Sequence, residues 1–560
     1  MTDVATRSPV DAIADRFWAY VLERQPVLAS MLGDRRYEDR LDDPGPAGRA
    51  ADRAMLGGVL ADAAEVDRAA LGVEDRVTLG MLEVVARVHL ARDEQHLHEF
   101  GSFDHINGPQ GLTGDLARFT VVDSDEAFDH LLSRLAAYPA WMDAHTANLD
   151  EGIATGRTAA RVVVERTIEQ TERAVEAPMD EAPLLQALGD QLSVDQRERL
   201  RAALVRDVVP AQARFLEYAR GYLPHARVGE GVWSIPDGEA IYETAILAST
   251  TLPLTARELH DFGLQQLAEI DRDRLEIARR LGHTDVASLR VALEHDADNF
   301  ARTRAEPAER ARAQIERAAA LAPRWFGRLP RAACEVRPVE PFMEREAPAA
   351  FYFPPAPDGS RPGIYFINTY QPEGRPLHQL ATTTYHEAVP GHHFQCTIET
   401  ELENLHAFRR FGSRLAGLAY AEGWGLYSER LADEMGLYED PRERLGMLDM
   451  QALRAGRLVT DTGLHAFRWT RQQAVDFLEG TGLSRAQAGV EIDRYIVWPG
   501  QALAYMVGQR EILALRHELE VRDGDRFDLR AFHDELLGHG SLPLAILREE
   551  LPNWVKPRPD

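Results

Sequence analysis

The chain of 560 residues carries 63 basic and 90 acidic side chains, a net charge of −27, with 45% hydrophobic and 27% charged residues. That composition supports a large apolar core. The acidic surface repels phosphate backbones and anionic lipid, which disfavours nucleic acid and membrane as partners. Two cysteines, Cys334 and Cys396, are too few for a disulfide framework or a thiolate-rich zinc site.

The segment Met1 to Arg7 lacks the apolar core of a signal peptide. No run of about 18 apolar residues follows it, so the expected location is cytoplasmic. Lys556 is the one lysine, a bias that fits a GC-rich genome better than a functional device. Up to about residue 325 the pattern is helix after helix. Asp11 to Arg24 places Ile13, Phe17, Val21 and Leu22 at helical spacing before Pro26 ends the run. Ser193 to Tyr222, Thr255 to Leu281 and Thr284 to Leu321 repeat the pattern, with breaks expected at Pro210 and Pro307. Ser193, Thr255 and Thr284 are the expected N-caps, and Gln196 completes a capping box with Ser193. These apolar stripes read as core packing.

The texture changes after Pro323. Cys334 to Pro338 and Ala349 to Pro354 are β-like. The turn signal Pro357-Asp358-Gly359-Ser360 precedes the clearest strand, Gly363 to Asn368. At a sheet edge that strand would pair with an extended peptide. Helical pattern returns near Leu377. The expectation is a mainly α fold, a large helical body with a small sheet beside a metal-binding helix. Residues 1–325 form its helical first lobe and 326–560 its catalytic region, within one integrated body.

The chemistry starts at Tyr385-His386-Glu387-Ala388-Val389-Pro390-Gly391-His392-His393. Two imidazoles ligate zinc in such a motif, and the glutamate beside the first takes the proton of the attacking water. The familiar spacing puts the histidines at i and i+4 on one helical face, whereas here the second stands at i+6 or i+7. On an unbroken helix i+7 lies about 10.5 Å further along the axis, and i+6 points about 120° away. A distortion at Pro390-Gly391 would fold His392 back toward His386, which favours His392 and leaves His393 as the alternative. A third ligand is expected at Glu422, a carboxylate among Leu415, Leu418 and Ala419 that needs a partner if buried. Glu429, two turns on, would support the site from behind.

At these residues the chain resembles the DUF885 family, placed among the zincin-like metallopeptidases of clan MA. The matching pieces are His386 to His393, Glu422-Gly423-Trp424-Gly425-Leu426-Tyr427-Ser428-Glu429, Asp461-Thr462-Gly463-Leu464-His465 and Arg494 to Tyr505, with an N-terminal echo at Leu32-Gly33-Asp34. The resemblance implies a two-lobed helical body around a deep channel, as in thimet-oligopeptidase-like enzymes. In that clan the zinc motif of helical oligopeptidases ends in Gly-His, which Gly391-His392 resembles.

The expected cofactor is therefore one zinc ion, held by His386, His392 and Glu422, with Glu387 as general base. Asp461 and His465, at i and i+4, are candidates for a charged or donating imidazole facing the oxyanion. Tyr495 and Tyr505 are candidate phenolic donors, and Arg494 a candidate grip on a substrate carboxylate. The polar loop Asp104 to Gly111 suggests a channel lining without a mechanism. The expected activity is hydrolysis of amide bonds in short peptides. The alternatives are an amidase of a peptide-like metabolite, or an inactive zincin-fold binding protein, which would have no need of Glu387.

Overall fold

The computed structural model describes residues 8–340, 344, 347–356, 359 and 361–559. The turn expected at Pro357-Asp358-Gly359-Ser360 lies outside them apart from Gly359, as does Met1 to Arg7. The chain forms two compact units. One is Met1–Thr244 with Leu464–Gln472 and Gly489–Pro499, and the other is Ala245–Gly463 with Gln473–Ala488 and Gly500–Asp560. The texture change near residue 325 thus marks the arrival of the sheet inside the second unit, not a boundary between units.

The first unit is built of helices. Pro9–Arg24 starts at a Ser8 capping box and buries Ile13, Phe17, Val21 and Leu22, the stripe read from sequence. Asp125–Thr155, the longest helix of this unit, begins where Ser124 accepts from Ala127 N–H. It ends at Gly156, whose φ of 80° is left-handed and strain-free only for glycine. Ser193 and Gln196 form the expected capping box at Val194–Ala203. The break expected at Pro210 is a π-type turn, Leu204–Val208, after which Val209–Tyr222 resumes. Proline has no N–H to return, so the wider turn precedes it.

In the second unit Ala256–Arg280 carries a Thr255–Glu258 capping box. The next expected helix is two, Val286–His295 and Glu306–Leu321. Asp285, not Thr284, caps the first by accepting from Ser288 N–H. Pro307 stands in the opening turn of the second, where its missing N–H costs nothing. Three strands follow: β1 (Cys334–Pro338), β2 (Ala350–Phe353) and β3 (Gly363–Ile367). Their order is β1-β3-β2, with β1 parallel and β2 antiparallel to β3. β3 is therefore central, and the reading of it as an edge for an added peptide is corrected: both of its sides are paired. Val336, Tyr365 and Ile367 of the sheet pack on Ala308 and Ala311 of the preceding helix and on Ala388. That packing sets the sheet beside the helix that carries His386. Neither cysteine is in a disulfide. Among the described residues no helix is long and apolar enough to cross a membrane.

Candidate metal centre

His386 and Glu387 close the helix Leu380–Glu387, and His392 opens the helix His392–Glu401. Between them the chain reverses through Ala388 (φ −105, ψ −104), a cis Val389–Pro390 bond and Gly391 (φ −74, ψ −130). The distortion anticipated inside one helix is thus a complete break between two. Gly391 makes the reversal possible, because a Cβ there would lie 1.8 Å from the His386 carbonyl oxygen.

The third element is the helix Leu418–Glu434, whose motif Glu422 to Glu429 divides its work along one face. Glu422 places Oε2 3.6 Å from Nε2 of His386 and 3.6 Å from Nε2 of His392. One donor atom from each of the three residues lies within 4.8 Å of the other two. The two rings stand 4.9 Å apart and perpendicular. Gly425 makes room for the imidazole: an added Cβ would meet the His386 ring at 2.7 Å. Trp424 donates Nε1–H to the carbonyls of Pro390 and Gly391 at 3.0 and 3.1 Å and so clamps the reversal to the helix. Glu429, fully buried, accepts from His386 Nδ1 at 2.9 Å, which orients the ring with Nε2 toward Glu422. Gln451 in turn donates to Glu429 at 3.0 Å.

Separations of 3.6 Å are too long for hydrogen bonds. Donors at 2.0–2.2 Å around a tetrahedral zinc stand roughly 3.4 Å apart, so these three residues fit that ion with little adjustment. Burial would raise the Glu422 carboxyl, but the two imidazoles hold it well below the usual range. Burial would lower His386, yet Glu422 and Glu429 carry it up to about 9. Glu387 is half-buried and makes no hydrogen bond or ion pair to any described residue.

The remaining candidates divide. His393 is turned away: its Nδ1 shares a hydrogen bond with Tyr352 at 2.9 Å, and burial pushes its imidazole down to about 4. Tyr505 opens the helix Ala504–Asp523, which crosses Leu418–Glu434 with backbones nearly touching at Gly423 and Gly508. Its ring lies under Arg457 at 4.5 Å and Arg454 at 5.8 Å, and its hydroxyl has no hydrogen-bond partner among the described residues.

Three expectations are corrected. His465 accepts from Val232 N–H at Nδ1 and donates from Nε2 to the Tyr495 carbonyl, and burial drives it down to about 3. Both ring nitrogens are spent on backbone, so no donor or charge remains for an oxyanion. The Tyr495 hydroxyl donates to Glu491 at 2.6 Å, and Arg494 pairs with the same carboxylate at 3.1 Å. Both therefore brace their own helix. The fourth motif and the Asp104 loop likewise explain each other: Trp498 Nε1–H donates to Asp104, whose other oxygen accepts from Ile106 and Asn107 N–H. Asp461 takes the N–H of Gly500 at 3.1 Å.

Comparison with known proteins decides the family. The model of DUF885, described as a bacterial protein of unknown function, matches residues 26–551. The chain belongs to the DUF885 family. Within known structures it is similar to a protein of Colwellia psychrerythraea described as a "putative lipoprotein". That match has 27% identity and a TM-score of 0.89, covering 98% of each chain. A Shewanella oneidensis protein, described in the same words and as of unknown function, shares the fold at 19% identity. Its TM-score is 0.76, over 97% of this chain and 99% of that one. No curated protein matches the sequence. For this DUF885 member, sequence reasoning named Glu422 and Glu429 but missed Gly425, Trp424 and Gln451. Two of these stood inside the quoted motif, and only contact with the reversal reveals what they do.

Glu429→Gln tests the supporting layer. The amide cannot accept from Nδ1–H with a full charge, so metal affinity should fall about 10- to 100-fold with the fold retained. Competition against a chromogenic chelator measures it. Unchanged affinity would leave Glu429 with no part in holding His386.

Proposed function

We propose that this protein is a zinc-dependent hydrolase that cleaves amide bonds of short peptides. The observation that carries the reading is the spacing of His386, His392 and Glu422, with the unpartnered carboxylate of Glu387 directly beside the first of them. When bound there, zinc supplies a Lewis acid that polarises a carbonyl and makes water acidic enough to attack at neutral pH.

The chain's own residues supply the rest. Glu387 takes the proton of the attacking water and returns it to the leaving amine, a role that needs a carboxylate free of other partners. Tyr505 donates its uncommitted hydroxyl to the oxygen on which charge develops. Glu429 and Gln451 keep His386 in one orientation throughout, so the site does not reorganise as charge moves. His386 is buried and Glu422 and His392 nearly so. Approach to them is accordingly proposed to be enclosed, admitting a short extended chain and excluding water from the reacting groups.

Elemental analysis and digestion of a peptide library test this together. The expected result is one zinc per triad, and cleavage of short peptides that stops on chelation and returns with zinc. A native folded protein should stay intact under the same conditions. Cleavage indifferent to chelator, or a triad that takes no metal under replete conditions, would overturn the reading.

A further inference from the structure

The first unit holds a second convergence of metal-binding side chains, outside everything described above. The helix Val73–Glu94 ends at Gln95, and His96 then turns the chain at φ 57, a left-handed conformation that His, Asn and Asp adopt more readily than other side chains. The chain re-enters a short helix at His98–Gly101. This turn brings the rings of His96 and His98 to 5.7 Å. One donor atom each from His96, His98 and Glu99 lies within 4.8 Å of the other two.

The carboxylates are held from behind. Glu99 is buried; its Oε2 accepts from the Thr155 hydroxyl and lies 3.8 Å from Arg157, while Oε1 faces His96 Nδ1 at 3.3 Å. Gly152 permits this approach, since a Cβ there would fall 2.1 Å from the Glu99 carbonyl oxygen. From the same turn of that helix, Glu151 sets Oε2 3.1 Å from His98 Nε2 and is itself held by Arg49 at 3.2 Å. Two nitrogen donors and one oxygen donor therefore face one another, with the other Glu99 oxygen already anchored and His98 braced from outside by Glu151. Such outer contacts are what orient ligands before an ion arrives. His96 is exposed enough to let an ion enter.

We propose that His96, His98 and Glu99 bind a second divalent transition-metal ion, with Glu151 orienting His98 from outside. Imidazole with carboxylate selects Zn2+, Co2+ or Ni2+ over the oxygen-seeking Mg2+ and Ca2+. The ion ties His96 and His98 to Glu99, which Thr155 holds to the end of the Asp125–Thr155 helix, and so stabilises the first unit. Arg157 offsets the Glu99 carboxylate, so this site releases its ion more readily than the triad of the second unit.

Co2+ titration of the metal-free, full-length protein, followed by visible absorption and by thermal unfolding, tests the site without any activity assay. The wild type is expected to take two equivalents. The weaker should vanish in the His96→Ala/His98→Ala double variant, together with its share of the metal-induced rise in Tm, and the tighter in His392→Ala. His96→Asn, which keeps a residue tolerant of the left-handed turn, guards against loss of fold and should also lose the weaker equivalent. A single equivalent that disappears in His392→Ala, or both equivalents kept by the double variant and by His96→Asn, would overturn the proposal. A single equivalent that disappears only in the double variant and His96→Asn would support it while sinking the hydrolytic reading of the triad.

Discussion

Glu387→Gln is expected to keep its zinc and its fold while turning over peptide at least about 100-fold more slowly, a barrier increase of about 2.7 kcal/mol. The substitution preserves shape and removes the carboxylate's charge and with it the ability to take a proton. Glu387 is the last residue of its helix and half-buried, without a hydrogen bond or ion pair to any described residue. No hydrogen bond or ion pair is therefore lost, and a fall in rate at full zinc occupancy reports chemistry. The KM should move little, because the carboxylate is not proposed to bind substrate. Single-turnover measurement on metal-replete variant, with zinc content checked on the same sample, is the decisive assay. Near-normal turnover at full zinc occupancy would remove Glu387 from the mechanism.

The second large effect separates two adjacent histidines. His392→Ala should abolish stoichiometric metal at the triad and activity with it, since two ligands and one open face hold zinc poorly. His393→Ala should keep both. Its ring belongs to a different arrangement, sharing a hydrogen bond with Tyr352 at 2.9 Å and another with Thr397 at 3.2 Å against β3. Its removal should cost about 1–3 kcal/mol of stability, the price of an unmade buried hydrogen bond. Metal analysis and chemical denaturation of both variants read the contrast directly. Metal retained by His392→Ala and lost from His393→Ala would exchange the two assignments.

Most of the candidate site was legible before any coordinates. His386-Glu387 with a delayed second histidine needed a break, and Pro390-Gly391 announced one. Glu422, an acid in an apolar stretch, needed a buried partner, and seven residues on Glu429 shared its face. Helical spacing alone carries these inferences, because residues on one face of a helix keep their relation wherever the helix packs. The readings at His465, Tyr495 and Arg494 failed for the opposite reason. Each was assigned a role by residue type, and each engages partners distant in sequence or on its own helix: Val232 N–H, the Tyr495 carbonyl, Glu491. Sequence does not disclose whether a hydroxyl or imidazole is already satisfied.

By itself the sequence determined the helical character, the capping box at Ser193, the N-cap at Thr255, the three strands and the residue types able to hold zinc. These follow from local backbone preference and from period, which act over a few residues. Only the tertiary structure decided that β3 is central, that the units part at Thr244 rather than near 325, and that Gly425 yields its side-chain space to the His386 ring. It alone brought His96, His98 and Glu99 against the end of a helix some fifty residues away. Such choices rest on contacts between segments far apart in the chain, whose stability depends on packing volume and on which polar groups find partners, and neither quantity is written in any short stretch of residues.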